Sequence, residues 1–244
     1  MGDGGLSASP NASLTVEVNP KAQVTLRRIG RDSSPVLVID DVVLDPDALV
    51  EAAAASTFTP PQVTYYPGLN APLPRTYLET LLPVLRPSMA RAFGVATDLP
   101  LVVSGFFALA TQRLEDFGPW QKIPHYDQLQ ADHLAMLHYL CRDQAGGTAF
   151  FRHQATGYES VTQDRRDGYL ATVTAELERD GDRLTGYAGP QTLNFDMLDS
   201  VEIRFNRLVL YPSNILHCAL FEGARLSNDP RTGRLTANSF FRPR

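Results

Sequence analysis

The sequence predicts an α+β chain, mainly β, in which a helical N-terminal layer precedes a β-barrel core. Three observations carry this. Residues 45–93 hold two stretches with helical spacing. From residue 99 onward short β-rich runs dominate, punctuated by Gly, Pro, Asn and Asp. Those runs do not alternate with helices as a parallel βαβ sheet requires. With 244 residues, 43% of them hydrophobic and 20% charged, the chain is long and apolar enough to bury a core without staples.

Residues 1–12, rich in Gly, Ser and Pro, predict a disordered terminus. Next, SLTVEV and AQVTLRR alternate apolar and polar residues around Asn19-Pro20, which reads as a hairpin or a bent pair of strands. VLVI at 36–39 is a short strand. Asp45-Pro46-Asp47 then opens a helix over ALVEAAAAS, with Asp45 as N-cap and proline in the first turn. The proline-rich stretch 57–74 has no periodicity and reads as a loop. Residues 77–93 have helical spacing, and Pro83 and Pro87 are expected to kink that helix or split it. Beyond 99, the strand candidates are LVVSGFFALAT, ADHLAMLHYL, TAFFRH, FNRLVLYP, NILHCALF and RLTANSFF, with a helical insert near 160–179. One domain over 13–244 is expected, with 13–98 supporting a core at 99–244.

The formal net charge of −5 and pI near 5.5 argue against a broad electrostatic grip on nucleic acid or an anionic membrane. MGDGGLSASP has neither the cationic nor the apolar part of a signal peptide. No stretch approaches the roughly 18 apolar residues of a membrane span. Cys141 and Cys218 have no metal-ligand spacing. A cytoplasmic protein with reduced thiols is expected, acting on a small-molecule or peptide substrate; the N-terminal β-runs offer edges for a homodimer.

Three features carry chemistry. In His125-Tyr126-Asp127, residues i and i+2 of a strand share a face, so an imidazole and a carboxylate can converge on one ion. Alone, the same pattern describes a surface histidine beside an aspartate. His217 lies in the apolar run NILHCALF; a buried histidine must satisfy both ring nitrogens, through a core carbonyl or through a metal. Two histidines and one carboxylate form the facial triad of non-haem iron(II), which leaves coordination positions open. Arg234 heads RLTANSFF, where a permanent charge in a β-run bound for a core needs an anionic partner. Alternation puts Arg234, Thr236 and Asn238 on one face, a polar stripe suited to a cavity.

The order HYD, LAMLHYLC, GGTAFF, NRLVLYPSNILHCAL and GRLTANSFF resembles the prolyl-hydroxylase branch of the 2-oxoglutarate/iron(II) oxygenases. The resemblance covers about 99–241, and VLVIDDVVLDPDALVEAAA resembles the strand and helix preceding the barrel in that branch. It implies a double-stranded β-helix of jelly-roll or cupin-like form. It implies that His125, Asp127 and His217 hold Fe(II), that O2 and 2-oxoglutarate are consumed, and that succinate and CO2 are released. Arg234 and Tyr139 would bind the far carboxylate of 2-oxoglutarate, with Thr236 and Asn238 beside them; Tyr139 serves equally as a core tyrosine. In halogenating relatives the carboxylate position is vacated, whereas here Asp127 fills it. Two departures stand out. Thr148 directly follows Gly147, which puts its register in doubt, and the long gap from His217 to Arg234 makes Arg225 a rival for the carboxylate.

Relatives oxidise peptidyl proline, free amino acids and small metabolites, and the sequence does not choose among these or among hydroxylation, desaturation and demethylation. Tyr65, Tyr66, Trp120 and residues 116–122 lie in irregular segments placed to cover the site, or simply to pack on the surface. His133, His138 and His153 have no assigned role, and Cys218 is expected to face away from the cavity. The competing reading is a non-catalytic, cupin-like barrel that binds a metal or ligand; it has no use for Arg234.

Overall fold

The computed structural model describes residues 14–61, 66–142, 144–221 and 223–244; the expected disordered terminus lies outside them. The strands are β1 (Gln23–Ile29), β2 (Ser34–Asp40), β3 (Gly68–Pro72), β4 (Leu101–Ala110), β5 (Leu134–Tyr139), β6 (Gly147–His153), β7 (Phe195–Glu202), β8 (Arg207–Pro212), β9 (His217–Leu220) and β10 (Arg234–Pro243). The α-helices are α1 (Pro46–Ala54), α2 (Arg75–Phe93) and α3 (Arg166–Asp180). The strands form a seven-stranded sheet in the order β1-β2-β8-β5-β10-β4-β3 and a three-stranded sheet in the order β7-β6-β9. Their pairings are antiparallel.

Strand alternation sorts the side chains into three apolar layers. On one face of the large sheet, Leu37, Ile39, Leu109, Met136, Leu208 and Leu235 pack against Leu49 of α1 and Leu81, Leu85 and Met89 of α2. On the outer face of the small sheet, Ala149, Phe151, Phe195 and Cys218 meet Tyr169 and Val173 of α3. Cys218 thus faces away from the interior, as alternation from His217 predicts. Between the sheets lie Val38, Tyr139, Phe150, Val201, Val209 and Tyr211.

Several local expectations are corrected. AQVTLRR pairs not with SLTVEV but with the following run, as β1 against β2, through a turn in which Gly30 and Ser33 take positive φ. Residues 14–18 run instead toward Val43, bridging it at Val18. β3 forms inside the stretch read as a loop, because Asn70 exchanges backbone hydrogen bonds with Thr59 while β4 pairs on its other side. FDMLDSVE, not singled out in the sequence, becomes β7. The insert helix begins at Arg166 rather than near 160, since Ser160 bridges Ile215 and Val161 N–H donates to Asn214 O at 2.8 Å.

α2 runs unbroken through Pro83 and Pro87. Both prolines are exposed and four residues apart, so they share one face and their orphaned carbonyls meet water. The opposite face buries Tyr77, Leu81, Leu85 and Met89. At ~1.5–3 kcal/mol per buried side chain, that row offsets two prolines at ~3 kcal/mol each.

His138, without a sequence-assigned role, is fully buried and structural. Its Nδ1 lies 3.0 Å from the Tyr77 hydroxyl and its Nε2 3.1 Å from Asn206 Oδ1. Asn206 also accepts from Val43 N–H and donates to Val43 O. That orients its amide, so His138 Nε2 donates and Nδ1 accepts. Burial holds the ring's pKa down at about 4, against an upward pull from Asn206. Because the folded value lies below the unfolded one of ~6.5, the unfolded chain takes up the proton first. The stabilising contribution is therefore complete above pH ~6.5 and lost as pH falls from there through about 4. His138→Gln is expected to lower stability at neutral pH and to flatten its decline across that window, measured as urea midpoints; an unchanged slope would place the proton uptake elsewhere.

Candidate metal centre

His217 opens β9, opposite Phe150 of β6. His125 lies in no regular strand. A single antiparallel bridge seats it beside His217: His125 N–H donates to His217 O at 2.9 Å, and His217 N–H donates to His125 O at 2.8 Å. In such a mutually bonded pair the side chains project to the same side, and the imidazole centroids lie 4.5 Å apart. Asp127 is anchored by its backbone N–H to Ser213 O at 2.8 Å. The expected strand for His-x-Asp is thus replaced by an irregular segment, yet the two side chains converge.

Donor atoms of His125, Asp127 and His217 all lie within 4.8 Å of one another. Asp127 Oδ1 is 3.8 Å from His125 Nε2, and its Oδ2 is 3.5 Å from His217 Nε2. Both separations exceed a charge-assisted hydrogen bond, at ~2.7–2.9 Å. They leave room for an ion between the donors, which would draw together to about 3.0 Å as neighbouring ligands of an octahedral ion with bonds of about 2.1 Å. His217 Nδ1 is 2.9 Å from Ile215 O. A carbonyl only accepts, so Nδ1 carries the proton and Nε2 presents its lone pair toward Asp127.

Electrostatics favour a cation here. Burial lowers the His217 pKa to about 4 against the Ile215 hydrogen bond, keeping the imidazole neutral and ligating. His125 leans the same way, through burial and the neighbouring His217, with Asp127 opposing. With 55% of its side chain exposed, His125 feels this less than His217, at 6%. Burial pushes the Asp127 carboxyl up, and His125 draws it down. A divalent ion reverses that burial penalty.

Arg234 begins β10 and is 1% exposed. Its Nη2 donates to Gly147 O at 3.1 Å, its guanidinium lies 4.9 Å from the centre of the Phe221 ring, and its Nε has no hydrogen-bond partner among the described residues. No carboxylate among the described residues pairs with it. Arg225, the rival, is exposed, and its backbone N–H donates to Gln144 Oε1 at 2.7 Å. Arg231 is likewise exposed, paired with Glu51.

Tyr139, fully buried, bonds Thr148 Oγ1 across the sheets at 2.6 Å, which settles Thr148 as inward-facing. Thr236 sits opposite Tyr139 in the β5–β10 register. Asn238 follows on the same face, its Oδ1 without a hydrogen-bond partner among the described residues. On β6, Gly147 at the Arg234 end and Phe150 opposite His217 are three residues apart, about 10 Å along a strand.

Tyr211 escaped sequence reasoning. It is 1% exposed and packs edge-on to both His217 and Phe150, at 4.8 and 5.3 Å. Its inward parity with Val209 was the available signal. Phe117, Tyr187 and Phe221 form an aromatic cluster beside Arg234, with Phe117 edge-on to the other two rings; their separation along the chain hid it. Trp120 is 37% exposed and Tyr65 lies outside the described residues. His153 is structural, bonded to Thr156 and Glu176 beneath α3. Two surface hollows, one lined by Val173, Glu176 and Phe195 and the other by Arg142, Ile203 and Phe205, include none of the three donor residues. Among the described residues, no helix is long and apolar enough to cross a membrane.

An antiparallel β scaffold that presents two histidines and an aspartate around one point defines a candidate metal centre of the two-His, one-carboxylate class. A family model described as a family of unknown function, DUF6445, matches residues 20–241, and the chain belongs to that family. No curated protein matches it. Similar solved structures include HygX from Streptomyces hygroscopicus with nickel and 2-oxoglutarate bound, at 15% identity, covering 87% of this chain and 84% of that one, TM-score 0.48. Others are the non-haem α-ketoglutarate-dependent epimerase SnoN from nogalamycin biosynthesis (12% identity, 85% and 77% covered, TM-score 0.46) and an N-substituted L-amino acid dioxygenase from Burkholderia ambifaria AMMD (11%, 93% and 94%, 0.41). These likenesses are too distant to carry residues or reactions across.

Titration with Mn(II) or Co(II) under nitrogen is expected to show one saturable site. It should be lost in His125→Ala, Asp127→Ala or His217→Ala and kept in His133→Ala. Calorimetry reads it, and undiminished binding in any of the three would remove that residue from the site.

Proposed function

We propose that this protein is a non-haem Fe(II)/2-oxoglutarate-dependent dioxygenase of prolyl-hydroxylase-like type, built as one domain on a double-stranded β-helix. Its substrate is an amino acid, peptide or small metabolite, and hydroxylation is its reaction. The observation that carries the reading is Arg234: a buried guanidinium with no carboxylate partner among the described residues, set back from two histidines and an aspartate.

The residues fit both groups. Three protein donors leave part of an octahedral sphere free, as iron(II) oxygenases require and a closed structural zinc site does not. An uncompensated buried charge costs several kcal/mol, and a dicarboxylate whose near end lies at the triad brings a second carboxylate toward Arg234. Bound there, iron and 2-oxoglutarate supply an oxidant for C–H bonds from O2, releasing succinate and CO2.

The chain's own residues do the rest. His217 presents Nε2 because Ile215 O holds the proton on Nδ1. Arg234 orients the far carboxylate through its fork, and Tyr139, steadied by Thr148, places a hydroxyl on the same inner face. Phe221 covers the guanidinium and keeps water from competing with the anion. Thr236 and Asn238 complete the polar floor on β10. A barrel that binds metal without turnover gives Arg234 nothing to do.

Purified under nitrogen, loaded with Fe(II) and exposed to O2, the protein is expected to convert 2-oxoglutarate to succinate, slowly even without a prime substrate. His125→Ala and Asp127→Ala should abolish this. Arg234→Ala should weaken 2-oxoglutarate binding by ~2–5 kcal/mol. Metal binding without succinate would favour the non-catalytic barrel, and unchanged affinity in Arg234→Ala would remove Arg234 from the scheme.

A further inference from the structure

Glu159, in the loop after β6, is a carboxylate outside the donor cluster and only 4% exposed. Its oxygens are taken up by backbone: Oε1 accepts from Arg31 N–H at 3.1 Å and Oε2 from Asp32 N–H at 3.0 Å. These amides belong to the β1–β2 turn, which begins with Gly30 at φ +66°. Successive backbone N–H groups in such a turn form a concavity that suits an anion. The fit is close, for a Cβ added at Gly30 would fall 2.0 Å from Glu159 Oε2. Arg152 adds a cation 3.8 Å away. A negative charge can be buried here because donors meet both its oxygens.

The backbone of Glu159 leads to the metal centre. Its carbonyl accepts from Leu216 N–H at 2.8 Å, Ser160 bridges Ile215, and Val161 N–H donates to Asn214 O at 2.8 Å. Leu216 is gripped from the other side too, since its carbonyl accepts from Phe151 N–H at 2.9 Å. Residues 214–216 therefore run between β6 and the 159–161 segment and lead directly into His217. The carbonyl of Ile215, in the middle of that stretch, is the one that holds the proton on His217 Nδ1.

We propose that Glu159 is a positioning residue for His217, and that the β1–β2 turn is the anchor from which it acts. Fixed between the turn and Leu216, Glu159 holds Ile215 O where it selects the Nδ1-protonated tautomer and aims Nε2 at Asp127. This rests on the reading of His217 as a metal ligand, but the tautomer is a property of the metal-free protein and is measured separately.

The test compares Glu159→Ala, Glu159→Gln and Gly30→Ala with Asp40→Asn, which breaks the Asp40–Arg207 ion pair away from the site. Long-range 1H–15N spectra of the metal-free protein report the His217 tautomer, Mn(II) titration under nitrogen reports affinity, and thermal melting reports stability. Wild type should show a single Nδ1–H tautomer. Glu159→Ala and Gly30→Ala, cutting the anchor from opposite sides, should mix the tautomers and raise the Mn(II) Kd by about ten-fold or more, the range for lost outer-shell partners. Glu159→Gln keeps one acceptor, folds most readily and should fall between. Asp40→Asn should lower the melting temperature and leave the other two readouts alone. A pure tautomer and unchanged Mn(II) affinity in the Glu159 variants would overturn the proposal, as would an equal effect from Asp40→Asn. If wild type binds no Mn(II), the metal reading fails, while the tautomer still decides whether Glu159 governs His217.

Discussion

The paired backbone hydrogen bonds between His125 and His217 are the constraint on which the site depends. They join an irregular segment to the first residue of a short strand and set the two imidazoles on one side. Ser213 adds Asp127 from the turn between β8 and β9. Two backbone contacts thus bring the neighbouring His125 and Asp127 to a histidine that lies far along the chain. Side-chain chemistry makes the cluster a candidate cation site, and backbone pairing brings it together.

The buried polar groups divide into those the protein satisfies and those it leaves for something else. His138 finds Tyr77 and Asn206, His153 finds Thr156 and Glu176, and Glu159 finds two amides of a turn. These close on themselves and behave as structure. Arg234 does not close: one nitrogen reaches Gly147 O, Nε has no partner among the described residues, and the Phe221 ring lies over the guanidinium. Among the described residues no carboxylate meets this guanidinium, and a buried charge of that kind calls for an anionic partner. The same contrast separates His217 from the other buried histidines. One of its nitrogens is committed to Ile215 O and the other faces a carboxylate too far away to bond.

Much of this is written in residue types and spacing. Alternation in RLTANSFF sets Arg234, Thr236 and Asn238 on one face and Leu235 and Ala237 on the other, as the register with β5 bears out. The Asp45 cap and first-turn proline of α1 are local effects and are read directly. Local reasoning failed where long-range packing overrode it. Pro83 and Pro87 do not break α2, because the face opposite them buries a continuous row. β3 and β7 have weak strand signals and exist because partner strands complete them.

By itself the sequence determined the kind of chemistry available: which side chains can bind a cation, which strand carries a stranded positive charge, and which faces are apolar. Those follow from residue identity and period-two alternation, both local properties. Only the tertiary structure decided that Arg234 rather than Arg225 is buried, that Thr148 faces inward to meet Tyr139, and that Tyr211 and Glu159 belong to the surroundings of His217. Each of those depends on which distant segments share a sheet or face across the interior, and backbone pairing between remote residues leaves no periodic trace in the chain.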